Sequence, residues 1–152
     1  MTMRVHFVRW CFLTALVAGC QSHAATCKSD PGIAAAQAAW KARHLENYKF
    51  VWHQTCFCLP QAVQPIVVTV RHGAIVSATD LGGAAIADDV KANLMTIDEL
   101  YRHLEDMKCT ADDVQLTASA DGVPEKIYID PRHSIADDEF DISISQLTAT
   151  GP

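Results

Sequence analysis

The chain predicts an α+β domain: two layers, with an antiparallel sheet carrying two helices on one face. Three observations lead there. Apolar residues recur at helical spacing in two stretches, alternate with polar residues in six others, and the elements run helix, three strands, helix, three strands. Alternation with one polar face suits an antiparallel sheet, because parallel strands are covered on both faces and read as continuous apolar runs. The order α-β-β-β-α-β-β-β also reads as a possible αβββ duplication, visible in pattern and not in residue identity.

Asp30-Pro31 opens the first helix. An aspartate side chain can accept from first-turn amides, and proline at the first helical position gives up no bond it would have made. Ile33, Ala36, Ala39 and Trp40 share one side of the segment running to Glu46, and Asn47 supplies the stop. From Tyr48 the period becomes two: Tyr48, Phe50 and Trp52 alternate with Lys49, Val51 and His53, which predicts a strand with one aromatic, buried face. Ile66, Val68 and Val70 form the second strand, His72-Gly73 a two-residue hairpin turn, and Ala74 to about Thr79 the third strand. Leu81 to Asn93 has glycines and alanines without a clear period and reads as a loop.

Thr96-Ile97-Asp98-Glu99 spells a capping box, with Met95 and Leu100 at the spacing of its hydrophobic staple. Ile97, Leu100, Tyr101, Leu104 and Met107 then lay an apolar stripe along one helix face, and Lys108 suits the negative C-terminal end. Val114, Leu116 and Ala118 mark a strand turned by Asp121-Gly122. Ile127 and Ile129 mark the next, with Pro124 at its start, where a missing amide is tolerated. Phe140, Ile142 and Ile144, alternating with Asp141, Ser143 and Ser145, give the last.

Ahead of the domain, Leu16-Val17-Ala18-Gly19-Cys20 resembles the lipobox of bacterial lipoprotein precursors. Arg4 and Arg9 precede it, with the short apolar run Trp10 to Val17 between, which is about half the ~20 residues of a spanning helix. The resemblance implies a signal peptide over 1–19 and lipidation at Cys20. A tether over 20–29, one domain over 30–148 and a tail over 149–152 complete the organisation. Glutamine after Cys20 implies the periplasmic face of the outer membrane by the usual sorting rule. An ordinary cut after Ala24 or Ala25, leaving a soluble periplasmic protein, is the alternative. The chain has 12 basic and 18 acidic residues, and losing Arg4 and Arg9 with the leader takes its net charge from −6 to near −8. Such a chain lacks the basic footprint of nucleic-acid binding, so the expected attachments are a lipid anchor in the membrane and an envelope protein partner.

The order of motifs resembles a bacterial domain-of-unknown-function family (domain of unknown function 6174) of small secreted proteins and lipoproteins. The matching stretches are Trp40 with Asn47-Tyr48-Lys49-Phe50, Cys56-Phe57-Cys58, Pro65 to Val70 with Gly73, and Thr96 to Leu100. Gly122-Val123-Pro124 leading into Ile127 to Asp130, and Ala136 to Glu139 before the final strand, complete the set. The resemblance implies a fold and an exported address, and no assigned activity. Cys27 and Cys109 lie outside its usual pattern.

Cys27, Cys56, Cys58 and Cys109 form an even set, most simply two disulfides in an oxidising compartment. In an extended strand Cys56 and Cys58 would have Cα atoms about 6.6 Å apart and could not bond. They pair only if the chain turns, as Leu59-Pro60 suggests, and the family resemblance points the same way. Cys27 precedes the first helix and Cys109 follows the second. A pseudo-two-fold between the halves would make the helices antiparallel and bring those ends together, which gives the expectation Cys27–Cys109 with Cys56–Cys58.

Competing chemistry has weaker support. Cys56-Phe57-Cys58 lacks the two-residue spacing and helix N-terminus of thioredoxin-type exchange. A soft-metal site from Cys56, Cys58 and His53 needs His53 on the same strand face as the cysteines, and alternation puts it on the other. Asp130, Asp137, Asp138, Glu139 and Asp141 lack the spacing of a calcium loop and read as a solvated run. With no HExxH, GxSxG or phosphate-binding glycine loop, the sequence points to a non-catalytic protein-binding module needing no cofactor; the rival is a periplasmic metal or thiol-redox protein using Cys56 and Cys58.

Overall fold

The structure, a computed structural model, describes residues 29–58 and 60–151. The leader, the lipidation residue Cys20 and Cys27 lie outside them. The domain is α+β: the described residues form nine elements, of which six strands build one antiparallel sheet. Helix α1 (Pro31–Lys41) is followed by β1 (Tyr48–Cys56), β2 (Ile66–Arg71) and β3 (Ala74–Asp80). Then come a one-turn helix α2 (Asp88–Lys91), α3 (Ile97–Lys108), β4 (Asp113–Ala118), β5 (Pro124–Asp130) and β6 (Phe140–Ala149).

Local signals act at the helix starts as expected. The Asp30 carboxylate accepts from the amides of Gly32 and Ile33, at 2.8 and 3.2 Å. Those two bonds, and then the nearby Lys108, hold its pKa below the usual carboxylate value. At α3 the Thr96 hydroxyl accepts from the Glu99 amide at 3.2 Å while the Glu99 carboxylate accepts from the Thr96 amide at 2.8 Å, a complete capping box. The next orphan amide, Ile97 N, donates to the phenol oxygen of buried Tyr48 at 3.1 Å, so the first residue of β1 helps to seat α3.

Helix α1 ends at Lys41, short of Glu46. His44 takes a positive φ of 50°, Leu45 turns toward the core, and Asn47 uses its side chain to accept from His72 N (3.1 Å) at the β2–β3 turn. That turn has positive φ at both His72 and Gly73, as a right-twisted two-residue hairpin requires. The stretch read as a loop contains α2, because Ile86, Val90 and Leu94, spaced by four, face the core. Strand β6 runs through a bulge at Gln146 (φ 53°) to Ala149. The tail beyond is tied back: Thr150 N donates to Asn47 O at 3.0 Å and Arg71 to the Gly151 carbonyl.

Sheet order is β3-β2-β1-β6-β5-β4. This corrects the duplication. Two equivalent αβββ halves would pair equivalent strands, β1 with β4, at their junction, whereas here the first strand pairs with the last. The helices are nonetheless antiparallel where they meet, with Asp30 at the start of α1 lying 3.5 Å from Lys108 at the end of α3. Lys108 also donates to the carbonyl of Val114 at 3.1 Å, capping a main-chain acceptor on the outermost strand.

A single core cluster joins Ile33 and Trp40 of α1 and Ile97, Leu100, Tyr101 and Leu104 of α3 to one face of the sheet. Cross-strand partners fix that face: Tyr48, Phe50 and Trp52 stand opposite Val70, Val68 and Ile66, and Ile127 opposite Ile142. Trp40 meets Tyr48 edge-on at 5.3 Å, and Tyr48 stacks on Phe50. The β4–β5 turn locks onto α1 through Gly122, at φ 78°. Its carbonyl accepts from the buried Tyr101 hydroxyl at 2.8 Å, and Asp121 beside it pairs with Arg43 at 2.6 Å.

Candidate functional site

The Cys56-Phe57-Cys58 motif sits where β1 leaves the sheet. Cys58 N donates to Cys56 O at 2.8 Å, the i→i+2 bond of a γ-turn, which draws the two Cα atoms to 5.2 Å and allows the disulfide that forms. The ring so closed places Phe57 at its apex, 87% exposed. Gln54, one step back on the same strand face, donates to the Cys56 sulfur at 3.4 Å. His53 is not brought to the cysteines: it pairs with Ser143, while Gln54 and Cys56 pair with Ile142 and Phe140 on the other face. Among the described residues no group of three or more His, Cys, Asp or Glu side chains is placed to hold a metal. Cys109 is disulfide-bonded, and Cys27, the partner expected for it, lies outside the described residues.

The acidic run disperses. Asp130 faces His133 at 3.4 Å, Asp137 is exposed in a left-handed turn, and Asp141 is the cross-strand partner of Tyr128. Desolvation, followed by the charges of Asp130, Glu139, Asp113 and Asp141, pushes the Tyr128 phenol above its ordinary pKa. Among the described residues these carboxylates do not converge on one point.

What the structure adds is a pocket of about 810 Å³ beside the disulfide. Cover on the core face of the sheet thins toward the end of β1: Trp52, Ile66 and Ile142 are at most 2% exposed, while Gln54, Cys56 and Phe140 are half-buried. There α2 offers one turn only. Half-buried Phe140 lies on the floor with Trp52, Ile66 and Ile142 packed closely beside it, and Val90, Leu94 and Met95 form the wall toward α2. Polar groups are few: Gln54, Gln61, Asp89, Asn93 and His103. Asp89 and Asn93 are fixed locally, the first accepting from Val90 N at 2.9 Å and the second donating to Asp89 O at 2.8 Å. A second groove of about 440 Å³ between α1 and β4 is lined by small residues, including Ala35, Ala36 and Ala39.

Sequence reading missed this pocket because its walls come from segments without strong periodicity. The spacing of Ile86, Val90 and Leu94 was the available signal. His103 was hidden as one polar residue beside an apolar helical stripe.

No curated protein and no solved structure matches the chain. Residues 32–149 match a family described as a family of unknown function, DUF6174. That span takes in every strand and both longer helices except the first residue of α1, so the chain belongs to the DUF6174 family.

Proposed function

We propose that this domain is the non-catalytic, protein-binding module of an exported lipoprotein, tethered through Cys20. Phe57 carries the reading. A large aromatic side chain left in water is ordinary on a mobile loop, where ordering it on binding would cost entropy. Here the disulfide has already fixed the turn, so binding meets less of that cost, and rigid exposed aromatics dominate many protein interfaces. The bridge suits an oxidising compartment, as does the lipobox resemblance. In this reading the domain has two layers: α1 and α3 cover the Tyr48–Phe50–Trp52 face, and the polar face bearing Lys49, Thr69 and Lys126 stays open to the envelope.

Crosslinking in the original host, followed by capture of the protein, tests the binding role. Phe57→Ala should weaken recovery of the partner by about thirtyfold, the effect of a hot-spot aromatic worth about 2 kcal/mol, without lowering the unfolding temperature. Equal recovery of the same partner by both proteins would refute the role of Phe57. Cys20→Ala should release the protein from membranes and abolish palmitate labelling. Unchanged fractionation, with no label in either protein, would refute lipidation.

A further inference from the structure

We propose that the pocket beside the disulfide binds a cationic amphiphile: a small molecule with an apolar chain or ring body and a protonated amine head. The site is distinct from Phe57, which is not among its lining residues. Its volume, about 810 Å³, falls within the few hundred to about a thousand Å³ of sites that enclose small ligands. The sheet lies below it, residues of the α2 segment and His103 of α3 line it, and Cys58, Gln61 and Ala62 line it beside the disulfide. Its accessible apolar lining, Phe140, Val90 and Met95 over the packed Trp52, Ile66 and Ile142, offers no side-chain hydrogen bond except through the indole, so the part of the ligand lying there must be apolar.

The head is chosen by charge. Among the described lining residues the one carboxylate is Asp89, and there is no lysine or arginine. An anionic head would enter beside a negative charge with no cation to receive it. An ammonium would gain a charge-assisted bond from Asp89, whose Oδ1 is held in place by the Val90 amide. The carboxamide oxygens of Gln54 and Asn93 are further acceptors on the lining. A neutral amphiphile of the same body should bind between the two.

The test uses the full chain carrying Cys20→Ala, so that no acyl group of its own competes, and displacement of the fluorescent probe N-phenyl-1-naphthylamine. Decylammonium, decanol and decanoate share one chain and differ in the head, and each is used below its micelle concentration. Decylammonium should displace the probe about tenfold more tightly than decanoate. Asp89→Asn should bring the two within about twofold and leave decanol unchanged. Ala87→Trp, at an exposed lining position, should narrow the pocket and weaken probe binding while melting with the parent. Ala62→Trp does the same from a second lining position, should the first variant fold poorly. The proposal is overturned if the parent binds none of the four compounds, if decanoate equals decylammonium, or if the preference survives Asp89→Asn. It is also overturned if folded Ala87→Trp and Ala62→Trp both bind the probe as tightly as the parent. Loss of partner capture in Ala87→Trp, with no amphiphile bound by the parent, would overturn it in favour of a protein segment as occupant.

Discussion

Replacing Gly122 with alanine adds one methyl group and should cost more than any other single methyl on the surface turns. An ideal Cβ at that position lies 2.3 Å from the carbonyl oxygen of Ala36, 2.3 Å from the amide nitrogen of Trp40 and 2.9 Å from its Cα. All three are main-chain atoms of α1, so no side chain can swing aside. Restoring ordinary contact requires α1 and the turn to separate by about 1 Å. That movement loosens Ile33 and Trp40, 4% and 3% exposed, against the core, and pulls on the 2.8 Å bond from Tyr101 to the Gly122 carbonyl. Overpacking of this kind costs about 1–3 kcal/mol, and the left-handed backbone adds about 1–2 kcal/mol for a residue with a Cβ. We expect a loss of about 2–5 kcal/mol, read as a lower urea midpoint by circular dichroism. Gly73→Ala is the control: φ is also positive, 73°, but nothing lies within 4 Å of the added carbon, so the backbone cost of about 1–2 kcal/mol stands alone. If the two variants lose equal stability, α1 is not seated on the β4–β5 turn and the packing argument fails.

Thr96→Ala should lose about 1 kcal/mol with the capping bond to Glu99 N, whereas Thr96→Ser keeps the hydroxyl and should lose clearly less; equal urea midpoints would deny the cap its role. Burial pushes the phenols of Tyr48 and Tyr101 up to about 12, from 10 when unfolded. The stability this represents is complete below pH 10 and is lost as pH rises toward 12. Each tyrosine should contribute a fall of about 1.4 kcal/mol per pH unit in that window, and Tyr48→Phe should remove its share of the slope. A flat urea midpoint between pH 10 and 11.5 would contradict the burial of both rings. Peptide mapping without reduction should yield Cys27–Cys109 beside Cys56–Cys58. A link from Cys27 to either of the latter would overturn that pairing.

Much of the fold was legible because the strongest determinants are local. Thr96 and Glu99 are three residues apart, Asp30 acts on amides two and three residues on, and the alternation of Tyr48, Phe50 and Trp52 needs only its own strand. The features that escaped are set by partners distant in sequence. Ending α1 at Lys41 depends on Asn47 being recruited to His72, and the bulge at Gln146 appears only when β6 must stay in step with β1. The duplication failed for the same reason: pattern gives strands, but which strand lies beside which is decided by the packing of the whole sheet. At the site, the turn at Cys56–Cys58 was readable from the cysteine spacing and Pro60. The pocket was not, since it exists where a helix is too short to cover the sheet.

The central position of β1 and β6 has a consequence for how the chain reaches this state. Tyr48 pairs with Ala149 and Cys56 with Phe140, so the middle of the sheet is made from the two ends of the domain. The β1–β2–β3 meander and the β4–β5 hairpin can form from neighbouring residues, but β1 and β5 keep open edges until the last strand arrives. Joining them closes a loop that spans nearly the whole domain, a topology associated with slow folding. Chains released before Phe140 would hold two half-sheets with nothing between them, and their exposed edges would make them prone to aggregate. The final ten-residue strand is thus the step that commits the domain to its native form, and its arrival is the moment at which the fold becomes cooperative.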